Sequence, residues 1–443
     1  MENICLFLNS LKLNTQKMKL KLLFVLLVFQ VSFAQHRTCG MQEQMQRIMN
    51  DPAQRAAYLE QQGRFEVELQ RMAISSNKNG NSVNAVIRIP VAVHFPSATT
   101  ATATLKTCMR SLAQKQIDIL NADYNAANTD VSIWASASAD YPNTNIGNMN
   151  VQFVLATQNH PSGTGLVNGD VAVTFGTDFL SGADQDTTWA GYCNLVVRNI
   201  SGGILGYSPL GGSPSQGMTV VIDNNAFGAS MSPSAPATCT GYVPTSPYNK
   251  GRTLTHELGH FFNLDHTFAN CDGSNCANSG DRVCDTPSSD EPRYDCNAAS
   301  DPPAGNPVTT CGELQLTMNY MDYVEDSCMY MFTAGQAARM TAWYNAISSQ
   351  LTTTALATEE FLQTQFSLYP NPTKGSFTIE FKDLANSFSV EVYDVTGKTI
   401  YENNYDQAAN LVQVINLDNP SNGVYFVNIK SDNGIVTKKL IIQ

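Results

Sequence analysis

Positive charge is scarce in this chain. Over 443 residues, 26 Lys and Arg face 38 Asp and Glu, for a net charge of −12 and an isoelectric point near 4.9. That balance argues against a nucleic-acid surface and suits an extracellular protein able to bind calcium. Long like-charge runs and strong internal repeats are also missing. No stable membrane span is expected either, because the apolar run Leu22 to Phe33 falls short of the roughly 20 residues a spanning helix needs. Lys17, Lys19 and Lys21 precede that run, and it closes in Ser32-Phe33-Ala34, which together read as a signal peptide (residues 1–34) cut after Ala34. The mature chain is therefore expected outside the cytoplasm, secreted or at the cell surface, where its cysteines can oxidise.

Histidine is rare as well, yet three of the six fall between positions 256 and 266. The stretch reads Gly251-Arg-Thr-Leu-Thr-His-Glu-Leu-Gly-His-Phe-Phe-Asn-Leu-Asp-His266. On a helix, His256 and His260 project from one face, where two imidazole nitrogens can hold one zinc ion. Glu257 stands beside them to take a proton from a metal-bound water. His266 can supply the third ligand if the chain turns sharply after Phe262. Asn263 sits at that turn, and Asn is the best non-glycine residue for a left-handed backbone. The long His-Glu-x-x-His-x-x-Gly-x-x-His signature belongs to metzincin metalloproteases. Asn263 is the one departure from it, and it serves the same backbone need.

The length suggests about three units, and a 43% hydrophobic fraction provides material for their cores. Residues 35–84 read as a helical segment: Met45, Ile48 and Met49, a break at Asp51-Pro52, then Leu59, Phe65, Leu69 and Met72, ending in a polar linker from Ser75 to Ser82. Near its start, Cys39 is either an ordinary disulfide partner or a thiolate that fills the metal's open position, and its isolation favours the second. Residues 85–350 alternate strands with a long helix over Leu105 to Tyr124. Pro90 suggests an edge position or a bulge for the strand Val86 to Phe95. His94 and His160 read as structural or solvent-facing. Beyond the zinc helix, Cys271, Cys276, Cys284, Cys296, Cys311 and Cys328 imply disulfide staples in an irregular lower half. Cys108 is the candidate for an unpaired thiol. Asp285 and Thr286, in the turn Asp281 to Pro287, either ligate calcium or form a polar loop. Tyr323 is placed to donate to a developing oxyanion, and Thr333 to Gln336 is a capping box opening a helix to about Gln350. Residues 351–365 read as a linker, and residues 366–443 as five strands of a small all-β sandwich.

Several separated motifs then agree in order. Gly251 to His260, Asp285-Thr286-Pro287, Met318 to Asp322, Cys328-Met329, Phe332-Thr333-x-Gly335-Gln336, Ile117-Asp118-x-Leu120-Asn121-x-Asp123-Tyr124 and Leu205-Gly206-Tyr207 together resemble the pappalysin/cytophagalysin metalloproteases over roughly residues 85 to 350. The resemblance implies an α/β (α+β) metzincin-like catalytic domain and zinc on His256, His260 and His266, with Glu257 as general base and acid. It also implies a Met-turn at Met321, calcium and disulfides in the lower half, and a latency segment carrying Cys39. Leu368-Tyr369-Pro370-Asn371-Pro372-Thr373-x-Gly375 is similar to sorting domains of the type IX secretion system, which implies contact with secretion machinery. The expected function is a secreted zinc endopeptidase made as a zymogen, acting on protein or peptide substrates and partnered by its own pro-segment. The competing class, a non-catalytic zinc-containing surface or adhesion protein, would call for four protein ligands.

Overall fold

The computed structural model describes residues 37–76, 86–229, 239–271, 275–294, 296, 308–356, 366–381, 387–406, 412–431 and 434–443. The expected signal peptide and most of both expected linkers lie outside these residues.

Two helices come first, α1 (Met41–Asn50) and α2 (Pro52–Ser76). Asp51 separates them, and its carboxylate accepts from the N–H groups of Ala53 and Gln54 at 2.9 and 3.0 Å. Pro52 is tolerated as the first helical residue because that position has no intrahelical partner for an N–H. Phe65 on α2 is fully buried, its ring 5.5 Å from that of Trp343 and capped by the Arg339 guanidinium.

A sheet of six strands follows: β1 (Ile87–Phe95), β2 (Val151–Leu155), β3 (Val173–Phe175), β4 (Cys193–Arg198), β5 (Gly206–Tyr207) and β6 (Thr219–Asp223). The order is β2-β1-β4-β6-β5, with β3 also on β1; only β5 runs antiparallel to its neighbour. The edge position suggested by Pro90 is corrected, since β1 lies in the interior of the sheet. Pro90 pairs with Val154 of β2, while pairing with β4 begins only at Val91, so the missing N–H falls where that neighbour has not yet started. The helix α3 (Ala103–Tyr124), capped by Thr102, buries Met109, Leu112, Ile117, Leu120 and Tyr124 against the sheet and against α4 (Arg252–Phe261).

The lower half has little regular structure, only the short pair β7 (Thr309–Thr310) and β8 (Glu313–Leu314) before α5 (Ala334–Ile347). Disulfides Cys271–Cys311, Cys276–Cys284 and Cys296–Cys328 staple it. A fourth joins Cys108 to Cys239, which corrects the expectation that Cys108 is unpaired; the free thiols among the described residues are Cys39 and the buried Cys193. The capping box of α5 is present, with Thr333 and Gln336 serving each other's backbone. The linker expected from Leu351 starts later than the sequence suggests. Ala355 and Leu356 are buried, and the Ala355 carbonyl accepts from Thr157 and Gln158.

The C-terminal strands are β9 (Phe366–Tyr369), β10 (Ser376–Phe381), β11 (Ser387–Asp394), β12 (Thr399–Asp406), β13 (Val412–Asn416), β14 (Gly423–Ser431) and β15 (Gly434–Ile442). They form one sheet in the order β13-β10-β9 and another in the order β12-β11-β14-β15. Phe377, Ile379 and Ile415 of the first share one core with Val390, Val392, Val427 and Leu440 of the second. Of these, β9 and β12 escaped the sequence reading.

Candidate active site

Every residue of α4 is buried, wedged between α3 and the sheet. His256 and His260 lie one turn apart, and their Nε2 atoms are 3.2 Å from each other. Asn263 adopts φ +68°, the left-handed turn its residue type favours. Its N–H returns to the His260 carbonyl at 2.8 Å, and Leu264 N returns to Gly259 O at 3.0 Å, closing the helix end. The bend brings His266 back so that its Nε2 lies 3.1 Å from that of His260.

The hydrogen bonds of these rings test whether a metal fits. His256 Nδ1 lies 2.7 Å from the Tyr320 carbonyl, and His260 Nδ1 lies 2.7 Å from the Leu264 carbonyl. A carbonyl only accepts, so each Nδ1 carries the proton and each Nε2 offers a bare lone pair. Burial drives the protonation of all three imidazoles below its usual range, to about 4 for His260. Two bare nitrogens 3.2 Å apart in a buried pocket repel each other unless a cation sits between them. A divalent ion preferring imidazole satisfies that need, and zinc is the natural choice.

Met321 packs against Gly259, between the two histidines on α4. It is fully buried, and a methyl group added at Gly259 would stand 2.5 Å from its Sδ. Asn319 holds this turn, accepting from Met321 N at 2.9 Å and exchanging side-chain hydrogen bonds with Gln336 of α5. Gly206 on β5 faces Glu257, where a Cβ would meet the glutamate Cγ at 2.7 Å.

Residues 37–40 bring a further side chain to the cluster. Gly40 N donates to Gly206 O and Leu205 N to Thr38 O, both at 3.0 Å, so the segment runs alongside β5, with a parallel bridge at Cys39 and Gly206. The Cys39 thiol donates to Glu257 Oε2 at 3.2 Å and gathers with His256, His260 and His266 in one cluster of possible ligands. Burial raises the Glu257 carboxyl to about 8, and burial followed by the nearby Glu257 pushes the Cys39 thiol well up. Tyr323 stacks its ring edge against His266 at 4.9 Å, and burial raises its phenol strongly. Arg37 was not singled out from sequence. Its Nη2 sits 2.6 Å from Asp326 Oδ1 with both side chains buried, and its guanidinium lies over the Tyr248 ring. Asp326 Oδ2 accepts from Lys250 N and Arg252 N at 2.8 and 3.3 Å.

Asp285 and Thr286 are used differently from the calcium site expected of them. Asp285 accepts from Thr333 Oγ1 and Gly335 N, bracing the start of α5, while Thr286 donates to Asp281 and Val283. Calcium there is unsupported; among the described residues no cluster of metal-binding side chains forms around Asp285. His94 is buried between Thr174 and Asn194, and His160 reaches the Asp170 carbonyl, both away from the cluster.

A helix carrying two imidazoles, a bend returning a third and a methionine beneath them make up the arrangement of the metzincin metalloproteases. Residues 191–345 match the family model described as pregnancy-associated plasma protein-A, and residues 367–443 match that of the secretion system C-terminal sorting domain. Residues 191–345 are thus similar to the pappalysin-type metzincins, and residues 367–443 to a secretion sorting domain. Extracellular metalloprotease 1 of Coccidioides posadasii is 36% identical over 156 residues, covering 35% of this chain and 50% of that protein. An extracellular metalloprotease of Arthroderma gypseum is 30% identical over 227 residues, 51% of this chain and 63% of that one. The chain spans about half the length of the curated relatives it matches. Among solved structures, Tannerella forsythia mature mirolysin in complex with a cleaved peptide is 27% identical, covering 61% of this chain and 97% of that one, with a TM-score of 0.44. No helix among the described residues is long and apolar enough to cross a membrane.

Proposed function

We propose that this chain is a secreted zinc-dependent endopeptidase made as a zymogen, with residues 35–84 as the pro-segment, 85–350 as the core of the catalytic unit and 366–443 as a type IX sorting domain read by the secretion machinery. His256, His260 and His266 hold the zinc, and zinc is the only metal in the proposal. Held there, zinc would polarise a scissile carbonyl and lower the pKa of a water toward about 7. Glu257 receives that water's proton and later hands it to the leaving amine. Tyr323 donates to the oxygen that gains negative charge, and Met321 supports the imidazoles from below. Cys39 keeps the site silent by taking the position the water needs, while Arg37 occupies Asp326. When the segment leaves, Asp326 is free to take a basic side chain of a peptide substrate beside the scissile bond.

The observation that carries this reading is the set of converging Nε2 atoms gathered with the Cys39 thiol, which in turn donates to Glu257. The activated protein should cleave peptides and lose that activity to a chelator. Glu257→Gln should retain zinc by metal analysis yet lose at least about a hundredfold in kcat. Normal cleavage by that variant, or a folded wild-type protein that takes up no zinc, would overturn the proposal.

A further inference from the structure

Among the buried acids that the mechanism leaves unused, one lies behind the metal-binding helix. Asp123, near the end of α3, is 2% exposed and far in sequence from the metal motif. Its Oδ2 accepts from Thr255 Oγ1 at 2.7 Å, and its Oδ1 accepts from the Tyr320 hydroxyl at 2.8 Å. Thr255 is the residue before His256 on α4. Tyr320 supplies the carbonyl that receives His256 Nδ1 at 2.7 Å. A single carboxylate therefore grips both parts whose separation sets that hydrogen bond.

The rest of the surroundings hold this arrangement in place. Tyr320 N donates to Met331 O at 3.0 Å, so its peptide is pinned on one side by backbone and on the other through its ring. Arg252 Nη2 lies 3.7 Å from Asp123 Oδ1 and its guanidinium sits over the Tyr320 ring, while two hydrogen bonds of 2.6 Å to Asp130 fix it there. Burying a carboxylate is costly, so a core built for stability alone would favour apolar groups at such a site. A carboxylate here offers what an apolar group cannot, namely two acceptors facing two hydroxyls from two different segments. Groups behind a metal-binding imidazole fix its tautomer and orientation, and losing one typically costs 10–100-fold in metal affinity or activity.

We propose that Asp123 is a positioning residue for His256, acting through Tyr320 and Thr255 to hold the imidazole in the orientation that binds zinc. The inference rests on the zinc reading above, and its test takes the wild-type chain as reference. In the full-length chain, with Cys39 in place throughout, zinc affinity is measured by competition with a chelating dye for wild type, Tyr320→Phe, Asp123→Ala and the double variant. Tyr320→Phe removes only the hydroxyl and keeps the ring, so it also serves if Asp123→Ala fails to fold. The expected result is a loss of about tenfold or more in zinc affinity for Tyr320→Phe at unchanged far-UV circular dichroism. The double variant should lose little more than Asp123→Ala alone. After activation, Tyr320→Phe should lower kcat and leave KM near the wild-type value, because the lost hydroxyl is buried behind His256. Folded variants with zinc affinity within about twofold of wild type, or losses that simply add in the double variant, would overturn the assignment. A wild-type chain that binds no zinc sinks the zinc reading itself, a separate outcome.

Discussion

The thiol of Cys39 donates to Glu257 Oε2 at 3.2 Å, so one residue of the N-terminal segment engages both the metal cluster and the group proposed to handle the water's proton. The proposed latency would depend on a single sulfur. Cys39→Ala should give a chain that processes itself early, seen as a shortened product on gels during expression, while wild type stays intact over the same period. Unaltered latency would instead assign the silence to steric cover by the segment.

Asp326 receives the Arg37 guanidinium on one oxygen and two backbone N–H groups on the other. Asp326→Asn keeps an acceptor for the backbone but removes the charge that meets Arg37 and is proposed to meet a substrate's basic side chain. Hydrogen bonds to charged groups are worth about 1.5–3 kcal/mol. The activated variant should therefore lose about 10- to 100-fold in kcat/KM on peptides with Arg at the preferred position, and much less on neutral ones. A peptide-library digest of the two forms measures this, and an unchanged preference would remove Asp326 from the pocket.

Gly259 has no room for a side chain, since a Cβ would stand 2.5 Å from Met321 Sδ. Gly259→Ala should destabilise the chain by about 1–3 kcal/mol through overpacking. It should also speed the loss of zinc to a chelator, because the push falls between His256 and His260. Urea denaturation together with chelator-release kinetics would report both effects.

His94 is buried between Thr174 and Asn194, and burial depresses its protonation to about 3. An unfolded histidine takes up a proton near pH 6.5. Between these values the unfolded state binds the proton and the folded state does not, so stability present above about pH 6.5 is lost as pH falls toward 3. The slope from this one group is about 1.4 kcal/mol per pH unit. Urea midpoints measured from pH 7 to 4 should fall less steeply in His94→Gln than in wild type, and parallel curves would refute the assignment.

The local features of the site could be read directly from the sequence. Two imidazoles four residues apart, an asparagine where the backbone must turn left-handed, and a Thr-x-x-Gln box are each set by chemistry within one or two turns of chain. Contacts across the fold left no such mark. Cys108 finds Cys239 across 131 residues, and nothing in the spacing separates that partner from the other cysteines. Arg37 meets Asp326 across 289 residues, so neither charge looked special alone. Asp285 misled for a related reason: an oxygen-rich turn suits a cation and a helix start equally well, and only the position of Thr333 decides between them. Pro90 signalled an edge because sequence shows which residue lacks an N–H but not where a neighbouring strand begins.

Phe65, held between Trp343 and Arg339, gives the N-terminal helices a grip on the body that owes nothing to Cys39. Gln62, one turn earlier, exchanges amide hydrogen bonds with Asn263, the very residue that bends the chain toward His266. Nicking the peptide chain after α2 should therefore leave these helices seated. On the proposed zymogen reading, release would then be a matter of dissociation, governed by concentration and time, and a severed N-terminal fragment would return as a reversible brake.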